Sequence, residues 1–397
     1  MRAKKKARNE GRPGYKKTKV GWIPEEWGCV RLIDLVVLQR GFDLPESKRI
    51  EGKIPVYASN GLVGWHNESR VKGPGIVTGR SGSVGKVTYI VRDFWPLNTT
   101  LYVKDFKGND PLFAYYFLNH LRIERFSNGT GVPTLNRNDV HPYRIPLPPI
   151  PEQKKIAEIL SAWDRAIEQV GRLIDAKERF KKGLMQKLLT GRMRFAGFGK
   201  PVEKKGELPE GWLKKHFSTI FKRVNLKRFQ ISKKDYKESG KYPVVDQGQE
   251  KIVAWSNAEP ITDPLPVIIF GDHTREIKWI DFPFIPGADG TIILISADET
   301  STVFAYFLLC NTQIVSLGYS RHFSELKSKK FLVPQIPEQI RIAAVLSSCD
   351  REIELLKKKL EKLKEQKKGL MQKLLTGEIR HPDFTNNKYK IEDKCQQ

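Results

Sequence analysis

An eleven-residue string, Lys181-Lys182-Gly183-Leu184-Met185-Gln186-Lys187-Leu188-Leu189-Thr190-Gly191, returns unchanged as residues 367–377. It closes a longer duplication, offset by 186 residues, in which Ile150-Pro151-Glu152-Gln153 reappears as Ile336-Pro337-Glu338-Gln339. Asp164-Arg165 with Ile167-Glu168 likewise becomes Asp350-Arg351 with Ile353-Glu354. A weaker echo opens each half, Pro24-Glu25-Glu26-Trp27 against Pro209-Glu210-Gly211-Trp212. Between these frames, residues 28–147 and 213–333 share little. A period this long marks duplicated domains and not a solenoid of small units. Matching frames around unlike inserts suit one task performed twice on two different targets.

The repeated frames predict two long helices. From Glu338 onward, Ile342, Leu346, Cys349, Ile353, Leu356, Leu360, Leu363, Leu370 and Leu374 alternate spacings of four and three, broken at Lys367. The earlier copy gives Ile156, Leu160, Trp163, Ile167, Val170, Ile174, Leu184 and Leu188, with Lys177 and Lys181 departing from the stripe. Such stripes are heptad seams. Pro151 and Pro337 suit a first turn, where the following Glu and Gln favour the helix dipole. Gly191 and Gly377 suit left-handed caps. Each helix, at ~1.5 Å per residue, spans roughly 58 Å, and the two most simply pair with each other. Gly183 and Gly369 lower helix propensity by about 1 kcal/mol each, which suggests close approach by another backbone. With Leu184, Met185 and Leu189, and with Leu370, Met371 and Leu375 in the second copy, they form candidate docking faces for a partner protein.

The formal net charge is +25 over 397 residues, and its distribution is uneven. Residues 1–19 carry nine Lys/Arg against one Glu; residues 172–194 and 357–373 each carry eight basic against two acidic, so these stretches hold +20 of the total. A basic tail and two basic helices supply salt-sensitive, sequence-independent attraction to phosphates, whereas the inserts are near neutral. Cys29, Cys310, Cys349 and Cys395 show no metal-binding or disulfide spacing. Free thiols fit a reducing cytoplasm, and no run approaches the ~18 apolar residues of a membrane helix. A soluble, cytoplasmic protein is expected.

Each insert reads as mixed strand and helix. Strands are expected at 53–57, 75–78 and 86–91 with a helix at 111–125, then strands at 242–245, 266–270 and 291–295 with a helix at 301–312. Three loop sets are candidates for recognition. Gly79-Arg80-Ser81-Gly82-Ser83-Val84-Gly85-Lys86 combines backbone freedom with an arginine suited to a guanine edge. Gly271-Asp272-His273-Thr274-Arg275, with Lys278, occupies a comparable place after a strand. Ser59-Asn60 and Gln247-Gly248-Gln249 offer amides able to pair with adenine. The competing reading is that these are turns whose polar residues satisfy their own backbone.

Catalytic and metal motifs are absent. Gly79–Lys86 has one residue too many for a P-loop, and Val87 stands where a magnesium-binding hydroxyl belongs. Gly129-Thr130-Gly131 makes no dinucleotide loop, and Asp281-Phe282-Pro283-Phe284 lacks the paired prolines of an amino-methyltransferase motif.

The chain resembles the DNA-specificity subunits of Type I restriction–modification systems. The likeness runs from Tyr15 to Arg380. It rests on the opening Tyr15-Lys-Lys-Thr and Gly21-Trp-Ile-Pro-Glu-Glu-Trp27, on the Pro-Glu-Gln starts and the Gly-Leu-Met-Gln-Lys-Leu-Leu-Thr-Gly ends, and on Gly79–Val87 and Asp281–Thr291. The resemblance implies an α+β chain, with two small mixed α/β target-recognition domains separated by a long antiparallel two-helix coiled coil. The expected divisions are a basic extension (1–19), a first recognition domain (20–147), a central helix (148–192), a linker (193–206), a second recognition domain (207–333), a C-terminal helix (334–379) and a polar tail (380–397). It further implies that the chain is not an enzyme. Each domain would read half of an asymmetric target in double-stranded DNA. Two methyltransferase subunits, binding S-adenosylmethionine and methylating adenine N6, would dock on the helices, and restriction subunits using ATP and magnesium would join them. No cofactor is expected in this chain. The alternative is a stand-alone DNA-binding or scaffold protein.

Overall fold

The duplication in the sequence is a duplication of topology. A computed structural model of the chain describes residues 12–385 except 129–132, 205, 288, 298, 316–317 and 319. Most of the basic N-terminus, residues 129–131 and the end of the polar tail therefore lie outside the described residues. Two compact units emerge. The first comprises residues up to 170 together with those from 359 onward; the second comprises 171–358.

In the first unit, a four-stranded antiparallel sheet runs in the order Val37–Arg40, Thr100–Asp105, Gly75–Gly79, Val87–Ile90. A three-stranded sheet places Ile54–Ala58 between Gly61–His66 and the parallel Trp95–Pro96. Gly28–Arg31 pairs with Arg144–Leu147 to close the insert onto its own ends. In the second unit the four-stranded order is Phe221–Val224, Thr291–Ser296, Val267–Gly271, Ile277–Ile280. There Tyr242–Val245 lies between Ala254–Ser256 and the parallel Ile285–Pro286, and Leu213–His216 pairs with Lys330–Val333. The two inserts thus share one plan, strand for strand, although their residues differ.

The expected strands and helices fall within a residue or two of those observed, apart from the helix at 111–125, which ends at Leu121 and is followed by a 3₁₀ turn at Ile123–Phe126. That helix begins at Pro111 with Asp110 accepting from the Phe113 amide at 2.8 Å. Its counterpart Thr302–Cys310 is capped by Ser301. Both helices bury aromatic faces, Phe113 and Phe117 in one core and Phe304 and Phe307 in the other.

The long helices are Ile150–Leu188 and Ile336–Leu375. Each runs from one unit into the other. Ile156 and Leu160 join Leu374 and Leu375 in the first unit's core; Ile342 and Leu346 join Leu188 and Leu189 in the second's. The lysines that interrupt the stripes are ion-paired across the helices, Lys367 with Asp164, Lys181 with Asp350 and Lys177 with Glu352. Within the second unit the paired positions rise along one helix as they fall along the other, 177 with 352 and 181 with 350, which is antiparallel packing. Gly191 and Gly377 both adopt φ +72° as the caps require.

Glu152 and Glu338 do more than suit a dipole. Glu152 is 1% exposed, accepts from the Trp27 indole at 2.9 Å and pairs with both Nε (2.9 Å) and Nη2 (2.8 Å) of Arg380. Glu338 repeats this with Trp212 at 2.9 Å and Arg194 at 3.0 and 2.8 Å. A buried carboxylate with two charged bonds and an indole donor is well satisfied. Arg194 and Arg380, which follow the two long helices, are therefore structural, each anchored to the start of the other helix. Ahead of the first insert, Tyr15–Thr18 pairs with Gly21–Pro24, and the Tyr15 hydroxyl donates to the Gly377 carbonyl at 2.9 Å. Among the described residues, no helix is long and apolar enough to cross a membrane.

Candidate nucleic-acid interface

Residues far apart in the first insert meet at one end of its four-stranded sheet. Ser59 and Asn60 form the tip of the hairpin between Ile54–Ala58 and Gly61–His66, and the Gly79–Lys86 loop folds against that tip. The Lys86 ammonium donates to the Asn60 carbonyl at 3.3 Å. A Cβ on Gly79 would sit 1.9 Å from the Ser83 carbonyl oxygen, which explains glycine there. The loop's backbone is satisfied from outside: the Arg80 amide donates to Thr99 O at 2.8 Å, the Leu135 amide to Arg80 O at 2.7 Å, and the Gly82 amide to Pro133 O at 3.1 Å. The Arg80, Ser81 and Ser83 side chains are thus not consumed in holding their own turn. Gly82, Ser83 and Lys86 are exposed, Arg80 and Ser81 half-buried.

Beside this loop opens a cleft of about 660 Å³ whose lining includes Arg40, Arg80, Arg137, Gln39 and Thr134. Arg40 faces Asp43 at 3.3 Å, but with side chains 53% and 65% exposed that pair is weak and a phosphate can replace it. Arg80 and Arg137 make no ion pair among the described residues. Three guanidinium groups around a concave surface can hold phosphates and reach base edges. Sequence reading missed Arg40 and Arg137, because only the sheet brings positions 40, 80 and 137 together. The Asn136 side chain accepts from the Asn138 amide at 3.0 Å, a cap signature that could have located the turn presenting Arg137.

The second unit has a tighter cleft, of about 80 Å³, at the same place in the fold, lined by Arg223, Lys227, Gln230, Asp289 and Arg321 among others. The correspondence follows from register. Gly79 pairs with Thr100 and Gly271 with Thr291, and the next amides, of Arg80 and Asp272, each donate across at 2.8 Å, to Thr99 O and Gly290 O. Asp272 therefore stands where Arg80 stands. None of Arg223, Lys227 and Arg321 was legible from local motif.

Several expected contacts in this unit are corrected. Asp272 is 3% exposed, and its carboxylate accepts from the Phe323 amide at 2.9 Å, fixing the turn of helix Phe323–Ser328. Lys278 is 7% exposed and donates to the Asp246 and Glu250 carbonyls at 2.7 and 2.6 Å; burial pulls its pKa below the ordinary ammonium value. Gln247 accepts from the His273 amide at 3.0 Å and donates to Asp289 O at 2.8 Å, so its amide joins two loops. Gln249, Thr274 and Arg275 remain exposed, His273 half-buried. Arg275, at φ +64°, donates to Ile314 O at 3.1 Å.

The candidate docking residues also separate. Leu189 and Leu375, at 4% and 0% exposure, belong to the cores of the second and first units and offer no free surface. Leu184 and Met185, and likewise Leu370 and Met371, are half-buried against those cores. Of the expected docking faces, Leu189 and Leu375 are thus taken up by the chain itself. At Gly183 and Gly369 a Cβ would meet nothing within 4 Å, so among the described residues no other element's backbone approaches them closely.

A family model described as Type I restriction modification DNA specificity domain matches residues 24–178 and again 209–365. The Type I restriction enzyme MjaVIII specificity subunit of Methanocaldococcus jannaschii is 26% identical over 407 residues, covering 90% of this chain and 94% of that protein. The crystal structure of a Type I restriction–modification S subunit from M. genitalium superposes with a TM-score of 0.60 at 20% identity, covering 92% of this chain and 99% of that one. A chain from a structural study of complex assembly and conformational transition of the type I R-M system gives 0.54 at 15% identity, covering 90% and 99%. At these identities the structural likeness concerns the fold.

Proposed function

From the premise that this chain belongs to the family of the Type I restriction modification DNA specificity domain, which it carries twice, we propose that it is the non-catalytic subunit that reads DNA sequence for a restriction–modification complex. Each unit reads one half of a bipartite target. One observation carries this: a single cleft position occurs in both units, lined by Arg40, Arg80 and Arg137 in the first and by Arg223, Lys227 and Arg321 in the second. A shared position gives a shared mode of docking on the duplex, and unlike linings give unlike half-sites, so the target is asymmetric.

Basic side chains in each cleft neutralise phosphates and set register, and the exposed side chains of the Gly79–Lys86 and Gly271–Arg275 loops approach base edges. Two adenine-N6 methyltransferase subunits dock along the long helices, where Gly183 and Gly369 leave the helix surface open, and restriction subunits complete the assembly. S-adenosylmethionine is bound by the former, ATP and magnesium by the latter. Target adenines turn out of the duplex into the methyltransferases. The test is N6-methyladenine mapping in a host expressing the partner methyltransferase with and without this chain. Motif-specific methylation is expected only with it, and the same motif methylated without it overturns the reading.

A further inference from the structure

The first unit carries a second cleft, of about 610 Å³, that shares no lining residue with the cleft of Arg40, Arg80 and Arg137. Its walls come from the N-terminal hairpin, helix Pro111–Leu121 with the turn after it, strand Arg144–Leu147 and the turn following Leu375. Arg12, Lys19, Arg125 and Arg144 supply cations, and Trp22 and Tyr143 supply planar rings. None of the four cations makes an ion pair among the described residues; Arg12 donates to the Glu378 carbonyl at 2.8 Å. Arg144 donates to the Cys29 carbonyl at 3.1 Å, and the Arg125 guanidinium lies 4.5 Å from the Tyr143 ring centre. The lone lining carboxylate, Glu378, turns to Lys373 at 3.9 Å.

The duplicated frame does not demand this lining. Offset by the repeat, Glu378 corresponds to Arg192; aligned on Pro24 and Pro209, Trp22 corresponds to Glu207. Like charges gathered in a concave surface without counter-ions repel one another, so their common use is to hold an anion. Guanidinium and ammonium groups match phosphate, and the rings match a planar base. The volume lies within the ~300–1,000 Å³ of small-molecule sites, whereas a duplex needs an open track.

We propose that this cleft binds a nucleoside polyphosphate, with Lys19, Arg125 and Arg144 on the phosphates and Trp22 and Tyr143 against the base. The site belongs to the first unit and does not depend on how that unit reads DNA.

Titration calorimetry of the full chain with ATP, inorganic triphosphate and adenosine, without magnesium, tests the assignment. Arg125→Ala with Arg144→Ala should weaken ATP and triphosphate at least about tenfold, and Lys19→Ala about threefold. Trp22→Leu should weaken ATP while leaving triphosphate within about twofold. Arg40→Ala with Arg137→Ala, in the nucleic-acid cleft, should change neither. Thermal melting at the wild-type temperature shows that each variant is folded. Three results overturn the proposal: no ATP binding below millimolar concentration, equal weakening by both double variants (diffuse attraction of polyanions), or displacement of ATP one-for-one by duplex DNA, which assigns the cleft to backbone phosphates.

Discussion

Glu152 and Arg380 show how much one residue can carry when buried. Replacing Glu152 by Gln keeps its shape and the indole contact but leaves the Arg380 guanidinium, 10% exposed, without its buried counter-charge. Breaking such a pair from one side costs about 3–5 kcal/mol. Urea denaturation of Glu152→Gln should show a loss of that size, and Glu338→Gln a similar one; a change below about 1 kcal/mol in both would mean water reaches these pairs. In the clefts the expected loss is of specificity. Arg80→Ala should cost about 1–3 kcal/mol on the cognate sequence and less on others, whereas a phosphate contact loses affinity uniformly. Arg275→Ala should do the same for the other half-site. Lys278→Met is expected to lower the melting temperature with no change in sequence preference, because its ammonium serves the Asp246 and Glu250 carbonyls.

Among elements, the long helices were the most legible from sequence, since heptad spacing, a proline start and a glycine stop all act within a few residues of chain. The strands Gly75–Gly79 and Tyr242–Val245 were legible as apolar runs between turns. Edge strands Val37–Arg40 and Phe221–Val224 were not, because four residues beside a helical turn carry no decisive period. Leu189 and Leu375 misled for a related reason: an apolar face wider than a seam reads alike whether it meets a partner or the chain's own core. The cross-helix ion pairs make register testable. Four residues inserted between 165 and 176 displace Lys177 and Lys181 by about 6 Å along the helix, away from Glu352 and Asp350. Methylation mapping should then show an altered gap between half-sites or no modification; an unchanged motif with unchanged gap would remove the helices from any role in spacing.

For the whole molecule, the question is whether the two units read independently. Each insert closes on its own ends, Gly28–Arg31 with Arg144–Leu147 and Leu213–His216 with Lys330–Val333, so an insert can be exchanged at a paired-strand base. The residues that the frame needs, Trp27, Glu152, Gln153 and Arg380, lie outside residues 28–147. Asn109, Asp110 and Tyr116 are exceptions, and a replacement insert must present equivalents. The Asn109 side chain accepts from the Gln153 side-chain amide at 2.9 Å, and the Asp110 amide donates to Gln153 at 3.0 Å, as Ser301 does to Gln339 at 2.9 Å. The Tyr116 hydroxyl donates to Asp164 at 2.7 Å. The second unit meets the Gln339 side-chain amide with the Glu299 carbonyl where the first uses the Asn109 side chain, so inserts of this fold satisfy the frame with different residues. Exchanging residues 28–147 for the corresponding insert of another family member should therefore yield a folded chain whose methylated motif changes in one half and keeps the other half and the gap. If both halves change, the clefts are coupled through the helices and the modular reading fails. If neither changes, sequence is read outside the inserts, and Arg40, Arg80 and Arg137 serve only to hold the backbone.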